Sequence, residues 1–358
     1  MKETALILAG GKGERFWPKS KKTLPKQFLS FTEDARTMIQ LTVKRLAQII
    51  NYEDISIITN RDYVELVKRQ LPQIPRENIL VEPVSKNTAS AIGFGAEIIK
   101  HRYGDAIMMV LASDHLIKDE KSYLKTMRTA AKVAEDGENL VTIGITPTYP
   151  ETGYGYIKFS KYEICNYPGV HTVKAFREKP DQQTAEEYFS SGQYLWNSGM
   201  FVWKISSVLK KFAEYLPDTY AGLEKIGSAI GKTDFERVLH DEFRAFKNES
   251  IDYGIMEKAE HIYAVPGNFG WDDMGNWLAM ERINNINEDN NTVAGDVITI
   301  GTRDSIIIGG KRLVATVGLE NMIVVDSDDA VLICKKEKSQ EIKKVIENLK
   351  ICNRQDLL

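Results

Sequence analysis

Residues 6–28 read "LILAGGKGERFWPKSKKTLPKQF". The apolar run Leu6–Ala9 has the composition of a buried strand, and it feeds directly into Gly10, Gly11 and Gly13. Arg15, Lys19 and Lys26 follow in what reads as a loop. A strand that ends in glycines and then in positive charge predicts an α/β sheet whose first loop receives an anion. The glycines let backbone N–H groups approach closely, and the guanidinium and ammonium groups add full charges. The spacing is not that of a Walker A loop, because no Gly-Lys-Ser/Thr follows Gly10 at the required distance. Nor is it the dinucleotide fingerprint. Phe16 stands where the third glycine belongs, and the second predicted strand ends at Thr59-Asn60 rather than in an acid. On these residues alone, a tight turn carrying solvated lysines explains the loop equally well.

The same texture continues outward from the loop. Residues 4–9, 55–59, 79–82, 106–111 and 140–145 are apolar throughout, as strands covered on both faces should be. Helical periodicity occupies 37–50, 61–70, 88–101 and 119–135, with Asn60, Thr88 and Asp119 as candidate caps. Strand–helix alternation predicts a mainly parallel sheet flanked by helices, with ligands outside the carboxyl ends of the strands. Beyond 150 the pattern loosens into further strands, with helices near 181–191 and 205–246. From about 291 a series of short β-branched runs is broken by Gly, Asn and Asp, with no helix until 338. The polar stretch near 285–291 makes a linker. The expected organisation is an α/β domain over 1–285, a β-rich domain over 291–337 and a helix or tail over 338–358.

Bulk composition narrows the function classes. Of 358 residues, 47 are Lys or Arg and 50 Asp or Glu, so no overall basic field invites nucleic acid, and any anion must be met by a local site. The 3 cysteines, Cys165, Cys334 and Cys352, are scattered. That argues against a disulfide framework or structural zinc and fits a reducing compartment. No run is long and apolar enough for a signal peptide core or a membrane span. A cytoplasmic protein is expected.

Three loops follow the first, third and fourth predicted strands: "GGKGERFWPKS", "EPVSKNTA" and "ASDHLI". All should lie on one carboxyl edge, which would let Arg15, Lys26, Glu82, Asn87 and Asp114 share a cleft. Asp114 ends a buried apolar run, where a carboxylate is costly unless a cation or a donor set pairs with it. A helix cap is the simpler reading. A second acidic pair, Asp272 and Asp273, lies in "FGWDDMGNW". One carboxylate from each place would suit Mg²⁺, which binds through one or two carboxylates plus substrate phosphates. "ETGYGYIKF" brackets Tyr154 with Gly153 and Gly155, "FREKP" carries Glu178 and Lys179, and "WNSGMF" carries Asn197 and Ser198. Sugar hydroxyls are bound by such mixed acid, amide and backbone groups, though each stretch is also an ordinary turn. Glu82 has the chemistry to read guanine: a carboxylate accepts both the N1–H and the exocyclic amine, a donor pair that adenine lacks.

Taken in order, "LILAGGKGERFWPKS…PKQF", "EP…NTA", "SDH", "GYGYI", "EKP", "WNSGMF", "SIDYGIMEK" and "GWDDMGNW" resemble the motifs of the sugar nucleotidyltransferases. Within that family they are most similar to the mannose-1-phosphate guanylyltransferases, over roughly residues 4 to 335. The resemblance implies a Rossmann-like catalytic domain and a short C-terminal left-handed β-helix that helps form a homodimer. It also implies that the chain, ending at 358, is monofunctional and lacks a fused isomerase domain. Two departures stand out. Glu14 takes a place where the family commonly carries Thr, and should point away from the phosphates. Ala112 replaces a common Pro.

The implied reaction is attack of mannose 1-phosphate on the α-phosphorus of GTP, giving GDP-mannose and pyrophosphate. Its nucleophile is already an anion, so no general base is needed, and none is evident in the sequence. The resemblance assigns Gly10, Gly11, Glu82, Asn87 and Ser113 to the nucleotide, and Arg15 and Lys26 to the phosphates. Mg²⁺ falls to Asp114 and, by the Trp-x-Asp pattern, to Asp273 rather than Asp272. Tyr154, Gly155, Glu178, Lys179 and Asn197 fall to the sugar phosphate. Partners in nucleic acid or membrane are not expected. Three other readings compete. A glycosyltransferase would show Asp-x-Asp where the chain has Asp114-His115-Leu116; "DSDD" at 326–329 lies in the β-rich tail. A silent GDP-mannose sensor should have lost a site cation or acid. An NAD-dependent dehydrogenase lacks its glycine.

Overall fold

The apolar runs singled out above are the inner strands of one sheet. In the computed structural model, which describes residues 1–11, 13–32 and 34–358, Leu6, Ile57 and Val110 have no exposed surface. Packing divides the chain into two units. One comprises Met1–Gly10, Val43–Ser113 and Ile117–Trp271; the other comprises Gly11–Thr42, Asp114–Leu116 and Asp272–Leu358.

In the first unit, β1 (Glu3–Leu8), β2 (Ile55–Asn60), β3 (Ile79–Glu82) and β4 (Ile107–Ala112) run parallel in the order β3-β2-β1-β4. After the two-residue β5 (Leu116–Ile117) come β6 (Leu140–Ile145), β7 (Tyr156–Ile164), β8 (Tyr167–Arg177), β9 (Tyr194–Lys204) and β10 (Ile262–Gly267). The full order is β3-β2-β1-β4-β9-β6-β10-β8-β7. Only β8 and β9 run against the others, so the sheet is mixed and mainly parallel, as expected.

The first helices fall where the periodicity places them: α1 (Met38–Leu46), α2 (Val64–Gln70), α3 (Asn87–Tyr103) and α4 (Glu120–Glu135). Of the three candidate caps, Asp119 serves, accepting from the Ser122 N–H at 3.0 Å. The other two are corrected by competing hydrogen bonds. Asn60 donates to the Gly10 carbonyl, and the Thr88 hydroxyl accepts from the Ile251 N–H. After α5 (Gln182–Ser191), the stretch expected as helical over 205–246 is three helices: α6 (Ile205–Tyr215), α7 (Pro217–Ala229) and α8 (Phe235–Ala245). Pro217 ends one, since it cannot donate and restricts Leu216; Gly231, at φ 79°, ends the next. Inside α3, two glycines allow close approach. A Cβ on Gly95 would lie 2.4 Å from Leu6 of β1, and one on Gly93 equally near Leu223 of α7. These contacts seat α3 on the core that includes Phe94, Met108, Trp203 and Phe243.

The C-terminal segment of the second unit follows β11 (Trp271–Asp272), and its first helix is α9 (Ala279–Ile283). Short strands follow: β12 (Thr292–Ala294), β13 (Val297–Ile300), β14 (Ile306–Ile308), β15 (Val314–Val317), β16 (Met322–Asp326) and β17 (Val331–Lys335). β12, β14 and β16 stack in parallel, with Val293 beside Ile307 and Ile307 beside Val324, and β13 stacks on β15. This is the coil of a β-helix, closed by antiparallel β17 and then α10 (Ile342–Ile351). Its core is not its own. Ile306, Ile308, Ile323 and Val325 pack in one cluster with Phe16, Trp17 and Phe31 from the N-terminal loop, and with Ile342 and Ile346 of α10. Trp17 also donates its indole N–H to the Leu357 carbonyl, and Trp277 donates to the Trp17 carbonyl. Among the described residues, no helix is long and apolar enough to cross a membrane.

Candidate active site

The charged part of the N-terminal loop lies in the second unit and lines a cavity of about 340 Å³, together with Asp114, His115, Asp273 and Lys343. Gly13 explains the third glycine of the opening motif. Its φ is 61°, and a Cβ there would lie 2.4 Å from the Lys26 Cβ and 2.9 Å from the Lys26 nitrogen. Gly13 thus lets the loop close onto Lys26. Gly11 differs, since among the described residues a Cβ there would meet nothing within 4 Å, so their packing does not demand glycine at that point.

Lys26 is buried, with its ammonium 2.8 Å from the Asp114 carboxylate and donating to the Asp273 carbonyl at 2.6 Å. The Phe16 ring lies beneath it at 5.7 Å. Burial by itself would raise the Asp114 pKa. The Lys26 and His115 charges and the Lys26 hydrogen bond outweigh it and hold the carboxyl below its ordinary range. Lys26 and Asp114, expected in separate roles, are therefore one ion pair. Asp272 is taken up elsewhere: Arg282 grips both its oxygens, at 2.5 and 3.1 Å, while Asp273 lines the cavity. Arg15 also lines the cavity, and its buried Nε has no hydrogen-bond partner among the described residues. Glu14 lines it as well, 3.7 Å from Lys350 of α10.

In the first unit, the carboxyl edge of the sheet gathers Gly10, Asn60, Glu82 and Ser113. The Ala9 and Ser113 N–H groups donate to Ile58 and Leu8, and the Thr59 hydroxyl to the Ala9 carbonyl, which fixes the edge. Glu82 is 7% exposed, and its Oε1 has no hydrogen-bond partner among the described residues. Burial pushes its pKa up to about 7. A Cβ on Gly10 would sit 3.5 Å from Glu82 Oε2, so glycine leaves that carboxylate room. Asn87 opens α3 at φ 71°, its side chain accepting from the Thr88 N–H.

Four of the five residues expected to meet the sugar phosphate converge elsewhere in this unit. The Asn197 N–H donates to the Gly155 carbonyl at 2.7 Å, and a Cβ on Gly155 would lie 2.8 Å from Glu178 Oε2. Lys179, mostly exposed, lies 3.2 Å from Glu178. Tyr154 meets Trp196 and Trp271 edge-on, both at 5.2 Å. The sequence reading missed Asp252, which accepts from the Asn197 amide at 2.8 Å and whose pKa is raised by burial. Its signal lay in "SIDYGIMEK", a stretch quoted but given no role.

The chain is similar to known proteins over most of its length. The nucleotidyl transferase family model matches residues 4–290, and the MannoseP isomerase/GMP-like beta-helix domain model matches 295–349. The mannose-1-phosphate guanylyltransferase of Salmonella typhimurium is 39% identical over 350 residues, covering 96% of this chain and 72% of that protein. The Escherichia coli K12 mannose-1-phosphate guanylyltransferase is 39% identical over 357 residues, covering 98% and 74%. A solved structure described as a mannose-1-phosphate geranyltransferase from Thermus thermophilus matches with a TM-score of 0.89 at 32% identity. That match covers 98% of this chain and 100% of the other.

Proposed function

The chain belongs to the nucleotidyl transferase family, among the mannose-1-phosphate guanylyltransferases, and we propose from that membership that it makes GDP-mannose. Mannose 1-phosphate attacks the α-phosphorus of GTP, and pyrophosphate leaves. The observation that carries the reading is the cavity of the second unit, where Arg15 and the Lys26–Asp114 pair meet Asp273. Positive charge there neutralises a polyphosphate, and positioning with electrostatic stabilisation provides most of phosphoryl-type catalysis.

The nucleophile is a phosphate oxygen that already carries charge, so the chain needs to hold it and aim it rather than deprotonate it. Lys179 meets the sugar phosphate. Tyr154, Gly155, Glu178 and Asn197 take the hexose, with the Asn197 amide oriented by Asp252. Glu82 accepts from the Watson–Crick edge of guanine, and its unpartnered oxygen supports that role. Gly10, Gly11, Asn87 and Ser113 seat the rest of the nucleotide.

The family generally uses a divalent metal, and the donors fit one. Asp114 and Asp273 offer hard carboxylate oxygens in one cavity, where Mg²⁺ takes one or two carboxylates plus phosphate oxygens. These two residues would hold Mg²⁺, which when bound offsets negative charge on the reacting phosphates. Lys26 meanwhile keeps the Asp114 carboxyl ionised, the form that can bind a metal.

The protein works as a cytoplasmic homodimer in this reading. Ile300 and Val317, paired across β13 and β15, are 60% and 70% exposed, and they support a self-associating face on the β-helix. The activity is tested by incubating the protein with GTP, mannose 1-phosphate and Mg²⁺ and identifying products by mass spectrometry. GDP-mannose and pyrophosphate in equal amounts are expected; hydrolysis of GTP to GDP and phosphate, with no GDP-mannose, contradicts the reading.

A further inference from the structure

The cavity of the second unit has one cation that no motif announces. Lys343, the second residue of α10, lines it with Arg15, Lys26, Asp114 and Asp273. Its position is fixed by its neighbours. Ile342 and Ile346 are 2% and 5% exposed and belong to the core cluster that contains Phe16, next to Arg15 in the loop. A helix anchored by an i, i+4 apolar pair presents its remaining faces in fixed directions. Lys343 and Lys350 are seven residues apart, two turns, and so share a stripe. Lys350 reaches Glu14 of the loop at 3.7 Å; Lys343 reaches the cavity.

The cavity's charges can be paired off. Lys26 is matched by Asp114, and Glu14 by Lys350. No carboxylate among the described residues forms an ion pair with Arg15 or Lys343. Asp273, the remaining carboxylate, is the proposed metal ligand, and Arg15 and Lys343 are then two positive groups facing the same space, suited to a diphosphate.

We propose that Lys343 binds the β- and γ-phosphates of the nucleoside triphosphate, and hence the pyrophosphate product. Lys350 acts through Glu14 as a positioning residue, holding that carboxylate by a contact on α10. The C-terminal helix then completes the phosphate pocket as well as closing the β-helix. Lys343 is exposed, so it contributes a mobile point charge and not a rigid fork. The proposal rests on the nucleotidyl-transfer reading of this cavity.

The test uses the full chain with Lys343→Met and Lys343→Arg, and measures binding of inorganic pyrophosphate by calorimetry, in EDTA and in Mg²⁺, beside steady-state kinetics. Lys343→Met should weaken pyrophosphate binding about 10-fold and raise KM for GTP by a similar factor, the scale of one charge-assisted contact. KM for mannose 1-phosphate and the thermal midpoint should stay near wild type, and Lys343→Arg should restore most of the loss. Unchanged pyrophosphate affinity in Lys343→Met overturns the proposal, as does an equal rise in both KM values with a lowered midpoint, which marks a structural role. Because pyrophosphate binding is read without turnover, a wild-type protein that makes no GDP-mannose refutes the activity separately from Lys343.

Discussion

The Lys26 ammonium lies 2.8 Å from the Asp114 carboxylate, with only 6% of the lysine side chain exposed. Removing the lysine leaves a carboxylate in a site whose burial disfavours charge. The Asp114 side chain keeps 31% exposure, so the penalty lies between that of a surface pair and a buried one, and Lys26→Ala should lower stability by about 1–3 kcal/mol as well as kcat by roughly 10²–10³-fold. The depressed Asp114 pKa gives stability that is present above its unfolded value of 3.8 and lost as pH falls through the folded value. Without Lys26, burial raises the Asp114 pKa in the variant, so its stability deficit should be largest near neutral pH, begin to shrink above pH 3.8 and keep shrinking as pH falls to the depressed wild-type value. Urea unfolding across pH checks this; a pH-independent deficit would show that the pair is not its source.

Glu82 carries the clearest pH signature. Its folded pKa of about 7 stands well above the ordinary 4.5 because burial penalises the charge. If the carboxylate reads guanine, GTP should bind roughly tenfold more weakly at pH 6 than at pH 8, following its ionised fraction. Glu82→Gln, which retains only the titration of GTP itself, should lose this dependence together with the preference over ATP. The stability sign is opposite. With a raised folded pKa, the contribution is full below 4.5 and lost as pH rises through about 7, so Glu82→Gln should be relatively more stable at pH 8. Calorimetric titrations and thermal melts at both pH values decide the matter.

Gly13 supports Lys26 through its backbone. An alanine there must hold φ near 61° and meet the Lys26 backbone, so Gly13→Ala should cost about 1–3 kcal/mol and lower kcat by displacing Lys26. Gly11→Ala, whose Cβ would meet none of the described residues within 4 Å, should leave stability within about 0.5 kcal/mol. Denaturant unfolding of the two variants side by side is the check, and equal effects would refute the distinction.

The Gly155, Glu178, Asn197 and Asp252 cluster should set affinity for the sugar phosphate. Gly155→Ala pushes a methyl to within 2.8 Å of Glu178, and Asn197→Ala removes the amide that Asp252 orients. Each should raise KM for mannose 1-phosphate about 10-fold while leaving KM for GTP unchanged. A rise confined to GTP would move these residues to the nucleotide.

The strands β1 to β4 were legible because burial on both faces leaves unbroken apolar runs, and Lys26, Asp114 and Asp273 because they punctuate such runs or recur in motifs. What stayed hidden depends on contacts far apart in the chain. Trp17 meeting the Leu357 carbonyl, or Phe16 packing on Trp277, leaves no local period, so the sequence shows a β-rich domain over 291–337 but not that its core includes the N-terminal loop. Asn60 and Thr88 look like caps by residue type, yet their side chains serve Gly10 and Ile251. Lys343 lies in "KKEKSQEIKKVIENLK", where nothing separates the lysine that faces a pocket from those that face water.

The most direct test is pyrophosphate release in Mg²⁺ with GTP, ATP, UTP and dTTP, each crossed with mannose 1-phosphate and glucose 1-phosphate. Release confined to GTP with mannose 1-phosphate is the predicted result, and it fixes base and sugar together. Release with a different pair contradicts the assigned substrates, and no release from any pair contradicts the transferase itself.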